Sequence, residues 1–122
     1  MIQGVSLTEV QNFTSKYDTV EPKTIWKIAG LNTDIFSYVG TKTDKGIDAL
    51  IEAVRFGLKD FENFKDSYGQ EIKVATVNKN IGGIDYKILA TNVMNMIPVD
   101  VVIELGGKIL KISKLQEEEI KN

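Results

Sequence analysis

The last third of the chain constrains the fold most. Pro98 suits the first position of a helix, and Ile97, Val101, Leu105, Ile109 and Ile112 recur at nearly four-residue spacing, laying an apolar stripe along it. A second set, Val99, Val102, Ile103 and Leu110, occupies the flank. A helix apolar over more than one stripe is either deeply buried or carries a second contact surface. Gly106-Gly107 inside it costs about 1 kcal/mol per glycine relative to alanine, which is tolerated more easily where a neighbour packs closely.

The remaining segments supply what such a helix could pack on. Ser6 with Glu9 forms a capping box and Val5 with Val10 a hydrophobic staple, so the pattern predicts a short helix from Leu7 to about Lys16, its stripe made of Leu7, Val10, Phe13 and Tyr17. Asp18 to Pro22 reads as a loop, followed by a strand over Thr24 to Ile28 with Trp26 and Ile28 on one face. Asn32 or Thr33 caps a brief helix through Tyr38, closed by Gly40. After Thr43 or Asp44 a longer helix carries Ile47, Leu50, Ile51, Val54 and Leu58, with Glu52 and Arg55 paired one turn apart. Gly57 marks where it weakens, and Phe61 and Phe64 continue its stripe through an irregular turn.

Asp66 to Gly69 reads as a turn. Ile72, Val74 and Thr76 then alternate with Lys73 and Ala75, and Ile84, Tyr86 and Ile88 with Asp85 and Lys87, which predicts a hairpin with a six-residue tip from Asn78 to Gly83. A short apolar turn, Val93 to Met96, leads into the last helix, and the acidic tail from Lys114, with Glu117 to Glu119 at the unfavourable end of the helix dipole, is expected to fray. At 122 residues without a repeat or linker, the chain is read as one compact α+β domain over 1–122: a small antiparallel sheet with a β-hairpin, packed by two main helices plus short N-terminal helices.

Composition narrows the chemistry. No cysteine excludes disulfides, thiolate metal sites and cysteine nucleophiles, and no histidine removes the commonest general base and metal ligand. A net charge of -2 gives no overall attraction to nucleic acid or anionic lipid, and no apolar run approaches the roughly 20 residues of a membrane span. The reading therefore expects a cytoplasmic chain with no membrane contact, no sequence-specific nucleic acid, no cofactor and no metal. Phosphate loops, nucleophile elbows and EF-hand loops are missing from the sequence. Asp60, Glu62 and Asp66 lack the alternation of a calcium loop, Asp100 and Glu104 read as surface charges with Lys108 as partner of Glu104, and Tyr86 and Lys87 point to opposite faces of a strand. Trp26 is read as core. No catalytic residue emerges, so no enzyme is expected, and the apolar surplus points to association. The interface candidates are Arg55 and Phe56, as anchors of a kind common at interfaces, and the hairpin tip Asn78, Lys79, Asn80, Ile81, Gly82 and Gly83.

Several segments carry a resemblance: Met1 to Leu7, Glu21 to Ile28 followed by Gly30-Leu31-Asn32, Val54 to Lys59 with Phe61 and Asn63-Phe64, and Ile97-Pro98 opening the last helix. Together they resemble small structural virion proteins of tailed bacteriophages, encoded among the head and neck genes. Gly106-Gly107 departs from the plain helix expected there. The resemblance implies a place more than a mechanism: the virion, with the host cytoplasm during assembly, in several copies that form a homo-oligomer and touch portal, capsid, neck or tail subunits. The alternative is a small cytoplasmic interaction protein, such as an assembly chaperone or host-factor inhibitor.

Overall fold

The computed structural model describes residues 9–41 and 46–114. It is an α+β fold of nine elements among the described residues: β1 (Gln11–Phe13), β2 (Ile25–Ile28), α1 (Thr33–Gly40), α2 (Ile47–Gly57), β3 (Leu58–Glu62), β4 (Thr76–Ile81), β5 (Ile84–Leu89), α3 (Thr91–Met94) and α4 (Val99–Ile112). Two antiparallel sheets form, one ordered β1-β2-β3 and one the β4-β5 hairpin.

The central strand follows its alternation, with Trp26 and Ile28 buried and Ile25 and Lys27 half-buried. Asn32 caps α1 as its sequence position predicts, its side chain accepting from the Ile35 N–H at 2.8 Å. Helices α2 and α4 pack on one another, with α2 against β3 and β5, and Leu58, Leu105, Ile109, Ile28 and Val54 are wholly enclosed. Each large side chain enclosed in this way contributes about 1.5–3 kcal/mol relative to exposure. Two glycines permit the close contact. A Cβ at Gly106 would lie 2.7 Å from the Leu50 carbonyl oxygen, and one at Gly57 would lie 2.5 Å from Ile109 Cγ2. Pro98 takes the N-cap position, one residue before the helical position expected of it.

Three expectations are corrected. Residues Glu9 to Lys16 form no helix: Gln11–Phe13 is a strand whose Phe13 sits opposite Trp26, and Glu9 and Val10 lie outside any element, while Val5, Ser6 and Leu7 fall outside the described residues. The narrow stripe was compatible with either state, and pairing with β2 satisfies backbone groups that its outer edge would otherwise leave open. Second, α2 stops at Gly57 and passes directly into β3, so Leu58 and Phe61 are strand residues. Their helix-like spacing of three arises from a β-bulge: Ile28 is opposite Leu58 and Lys27 opposite Asp60, leaving Lys59 as the extra residue and returning Leu58 and Phe61 to one face. Third, the first hairpin strand begins later than expected, at Thr76, and continues through Asn78 to Ile81, residues expected in the tip, while the second begins at Ile84 as expected; the ladder runs from Thr76 opposite Leu89 to Ile81 opposite Ile84. Its turn is the pair Gly82-Gly83, both with positive φ (61° and 86°), as a two-residue hairpin turn demands. Thr43 and Asp44 before α2, and the tail beyond Lys114, lie outside the described residues.

Candidate contact surfaces

The hairpin is rooted at one end and free at the other. Ile88 and Leu89 are buried, and Tyr86 stacks edge-on against Phe56 with centroids 6.1 Å apart while its hydroxyl accepts from Asn32 Nδ2 at 3.3 Å. The alternation places Val77, Lys79, Ile81, Ile84, Tyr86 and Ile88 on one face, and the other carries Asn78, Asn80, Asp85 and Lys87. On the first face Val77 and Ile84 stay about half exposed, at 51% and 52%. Lys79 stands over the Tyr38 ring at 5.0 Å, and Asn80 both donates to Asp85 Oδ1 at 2.9 Å and accepts from the Gly83 N–H at 3.2 Å.

The predicted contact residues therefore divide. Asn78, Lys79, Asn80 and Ile81 belong to β4 and only Gly82 and Gly83 form the turn. Phe56 is a core side chain, 4% exposed between Tyr38 and Tyr86. Arg55 does pair with Glu52, at 3.4 Å, and also donates to the Thr91 hydroxyl at 3.1 Å, tying α2 to α3. The fold thus uses both inside the molecule. Sequence reasoning missed Val77 and Ile84, although the period-two alternation from Val77 through Gly82-Gly83 to Ile88 was available as their signal.

The acidic groups serve local ends. Asp60 accepts from the Phe61 N–H, Glu62 pairs with Lys27 at 3.1 Å, and Asp66 accepts from the Tyr68 and Gln70 N–H groups of its turn. Among the described residues no three such ligands come together as a metal site would require. Glu104 does not pair with Lys108; it accepts from the Ser15 hydroxyl and, at 3.2 Å, from the Lys16 N–H, fastening the N-terminal segment to α4.

Two hollows remain. An open groove of about 560 Å³ runs between residues 15–24, Asn63 to Lys65 and Pro98 to Val101, with Trp26 and Phe64 in its wall and the exposed Tyr17 and Val20 beside it. Trp26 is a core residue, as expected, packed on Phe61 and Phe64, with its indole N–H unpartnered. A cavity of about 90 Å³ lies among Leu31, Asn32, Phe56, Lys59, Tyr86 and Lys87. The Lys59 ammonium donates to the Phe56 carbonyl oxygen at 2.8 Å, and burial holds its pKa below the ordinary lysine value. No carboxylate lines this cavity; its ionisable groups are Lys59, Tyr86 and Lys87.

Among the described residues no helix is long and apolar enough to cross a membrane. Comparison with protein-family models, with curated proteins and with solved structures finds no match to this chain.

Proposed function

We propose that this chain is a non-enzymatic structural component of a tailed-phage virion, at the head-to-tail connection or on the capsid, acting in several copies through protein contacts. The observation that carries the reading is the β4-β5 ribbon, which leaves Val77 and Ile84 half exposed on the face that roots it to the core. Two strands alone are a marginal structure in water, and an apolar face on such a ribbon gains by being covered. The resemblance of the segments around Trp26, Phe56 and Pro98 to head and neck proteins supports the location. Multiple copies on a ring or shell let modest contacts hold, because each subunit docks against neighbours already in place.

Mass spectrometry of particles purified from a lysate of the encoding phage should find the chain at a fixed copy number. The double variant Val77→Asp, Ile84→Asp should fold, both positions being half exposed, yet be depleted from particles at least tenfold. Absence of the unmodified chain from particles would support the chaperone or inhibitor reading instead.

A further inference from the structure

Helix α4 holds two adjacent glycines, and packing among the described residues accounts for only one. Gly106 lies against the Leu50 backbone, where any side chain would collide; around Gly107 no atom of the described residues lies within 4 Å of a Cβ position. Gly107 is not isolated among polar groups. At about 100° per residue, Val99, Ile103, Gly107 and Leu110 fall within roughly 80° of one another, on the side turned away from the buried Val101, Leu105 and Ile109. Val99 is 60% exposed and Ile103 43%, and Met96, just before the helix, is 51% exposed. This is the second apolar stripe of α4; Leu110 is half-buried against the core, whereas among the described residues nothing covers Val99 and Ile103.

The charges beside the stripe indicate what would. Asp100 and Lys111 lie on the same flank, one near each end, both exposed and, among the described residues, neither in an ion pair. Glu104, on that flank between them, is already held by Ser15 and Lys16. When two identical helices pack antiparallel across a two-fold axis, like flanks meet and opposite ends meet. Ile103 and Gly107 are equidistant from residue 105, and Asp100 and Lys111 from the 105–106 peptide, so one axis position satisfies both pairs. A parallel pairing would set the Asp100 flank against the flank bearing Val102 and Gly106, which carries no charge to answer it.

We propose that α4 is a homotypic contact: it packs antiparallel on α4 of a second copy, with Ile103 seated over the partner's Gly107 and Asp100 beside the partner's Lys111, each reciprocated. The missing side chain at Gly107 is then the hole that receives an isoleucine, and the charge pattern fixes direction and register. This deepens the multi-copy reading above by naming a second surface, separate from the hairpin.

Sedimentation equilibrium of the full chain should show a concentration-dependent doubling of mass. Ile103→Glu should weaken association at least tenfold without changing the circular dichroism spectrum or melting temperature of the monomer, and Ile103→Ala should act in the same direction. Asp100→Lys and Lys111→Asp should each weaken it, and the double reversal should restore it. Because the chain has no cysteine, orientation can be read by single introductions: an oxidised mixture of Ile103→Cys and Gly107→Cys chains should cross-link, whereas Val99→Cys should not cross-link to itself, the two sites lying about 18 Å apart along the antiparallel pair. A monomer at every concentration up to the millimolar range, a dimer indifferent to Ile103→Glu, or self-linking of Val99→Cys would each overturn the proposal. Absence of the unmodified chain from purified particles with dimerisation intact would instead count against the virion reading alone.

Discussion

A methyl group at Gly106 would meet two backbone atoms of Leu50, the carbonyl oxygen at 2.7 Å and Cα at 2.9 Å, and backbone cannot swing aside as a side chain can. Gly106→Ala is therefore expected to destabilise the protein by about 1–3 kcal/mol, the range of overpacking in a well-filled core. Gly107→Ala meets nothing and relieves the conformational freedom of glycine in the unfolded chain, so at concentrations where the chain is monomeric it should stabilise by about 0.5–1 kcal/mol. Urea unfolding of the two variants side by side checks both signs. Lys59 makes a second residue-scale prediction. Burial lowers its pKa in the fold below the ordinary 10.5, so in the alkaline range between those two values the unfolded chain binds more protons than the folded one. Stability contributed by this group accordingly rises with pH across that window, and below it the folded state carries the full cost of a charged, partly buried lysine. Lys59→Gln should flatten the rise in the urea midpoint; equal slopes in variant and parent would contradict the assignment.

Lys59 has another role at the level of elements, because it is the residue by which β3 exceeds β2. Deleting it would turn either Leu58 or Phe61 from the core to the solvent face, since a one-residue slip reverses the alternation of a strand. The deletion should cost about 3 kcal/mol or more, on the scale of losing a large buried side chain, whereas Lys59→Ala, which keeps the count, should cost far less; thermal unfolding separates them. The same bulge explains why the helix-to-strand passage was hidden in the sequence. Leu58, Phe61 and Phe64 recur every three residues, which is the signature of a helix, and only pairing with Ile28 and Trp26 reveals a strand with an extra residue. The stripe of Val10 and Phe13 misled for the same reason. Elements with local chemistry of their own were legible: Asn32 as a cap, Trp26 and Ile28 in alternation, and Ile97 through Ile109 as the buried side of the last helix. The hairpin was legible in existence but not in register, because its ends depend on where Ala75 and Ala90 continue the ladder.

Across the whole molecule, a tie between residues far apart in sequence joins Ser15 and Lys16 to Glu104 and secures the N-terminal segment that carries β1. Glu104→Ala removes both bonds and should cost about 1–2 kcal/mol, with amide exchange accelerating in β1 and unchanged in β4 and β5. Uniform acceleration in all strands would show that β1 is not held separately. The candidate contact surfaces divide along the same line between local and distant causes. That the hairpin and the outer side of α4 carry apolar groups could be read from residue periods, since alternation and helical spacing are properties of neighbouring residues. Which of those groups remain exposed could not, because Phe56 and Val77 are equally apolar in sequence and only Tyr38 and Tyr86 closing over one of them separates core from surface. By itself the sequence determined the α+β class, the cap of α1, the faces of β2 and the absence of histidine and cysteine chemistry, all of which follow from residue type and short-range geometry. The tertiary structure alone decided that residues 11–13 are a strand, that Lys59 is a bulge, and that Gly106 is filled space while Gly107 is open, because each depends on a partner far away along the chain.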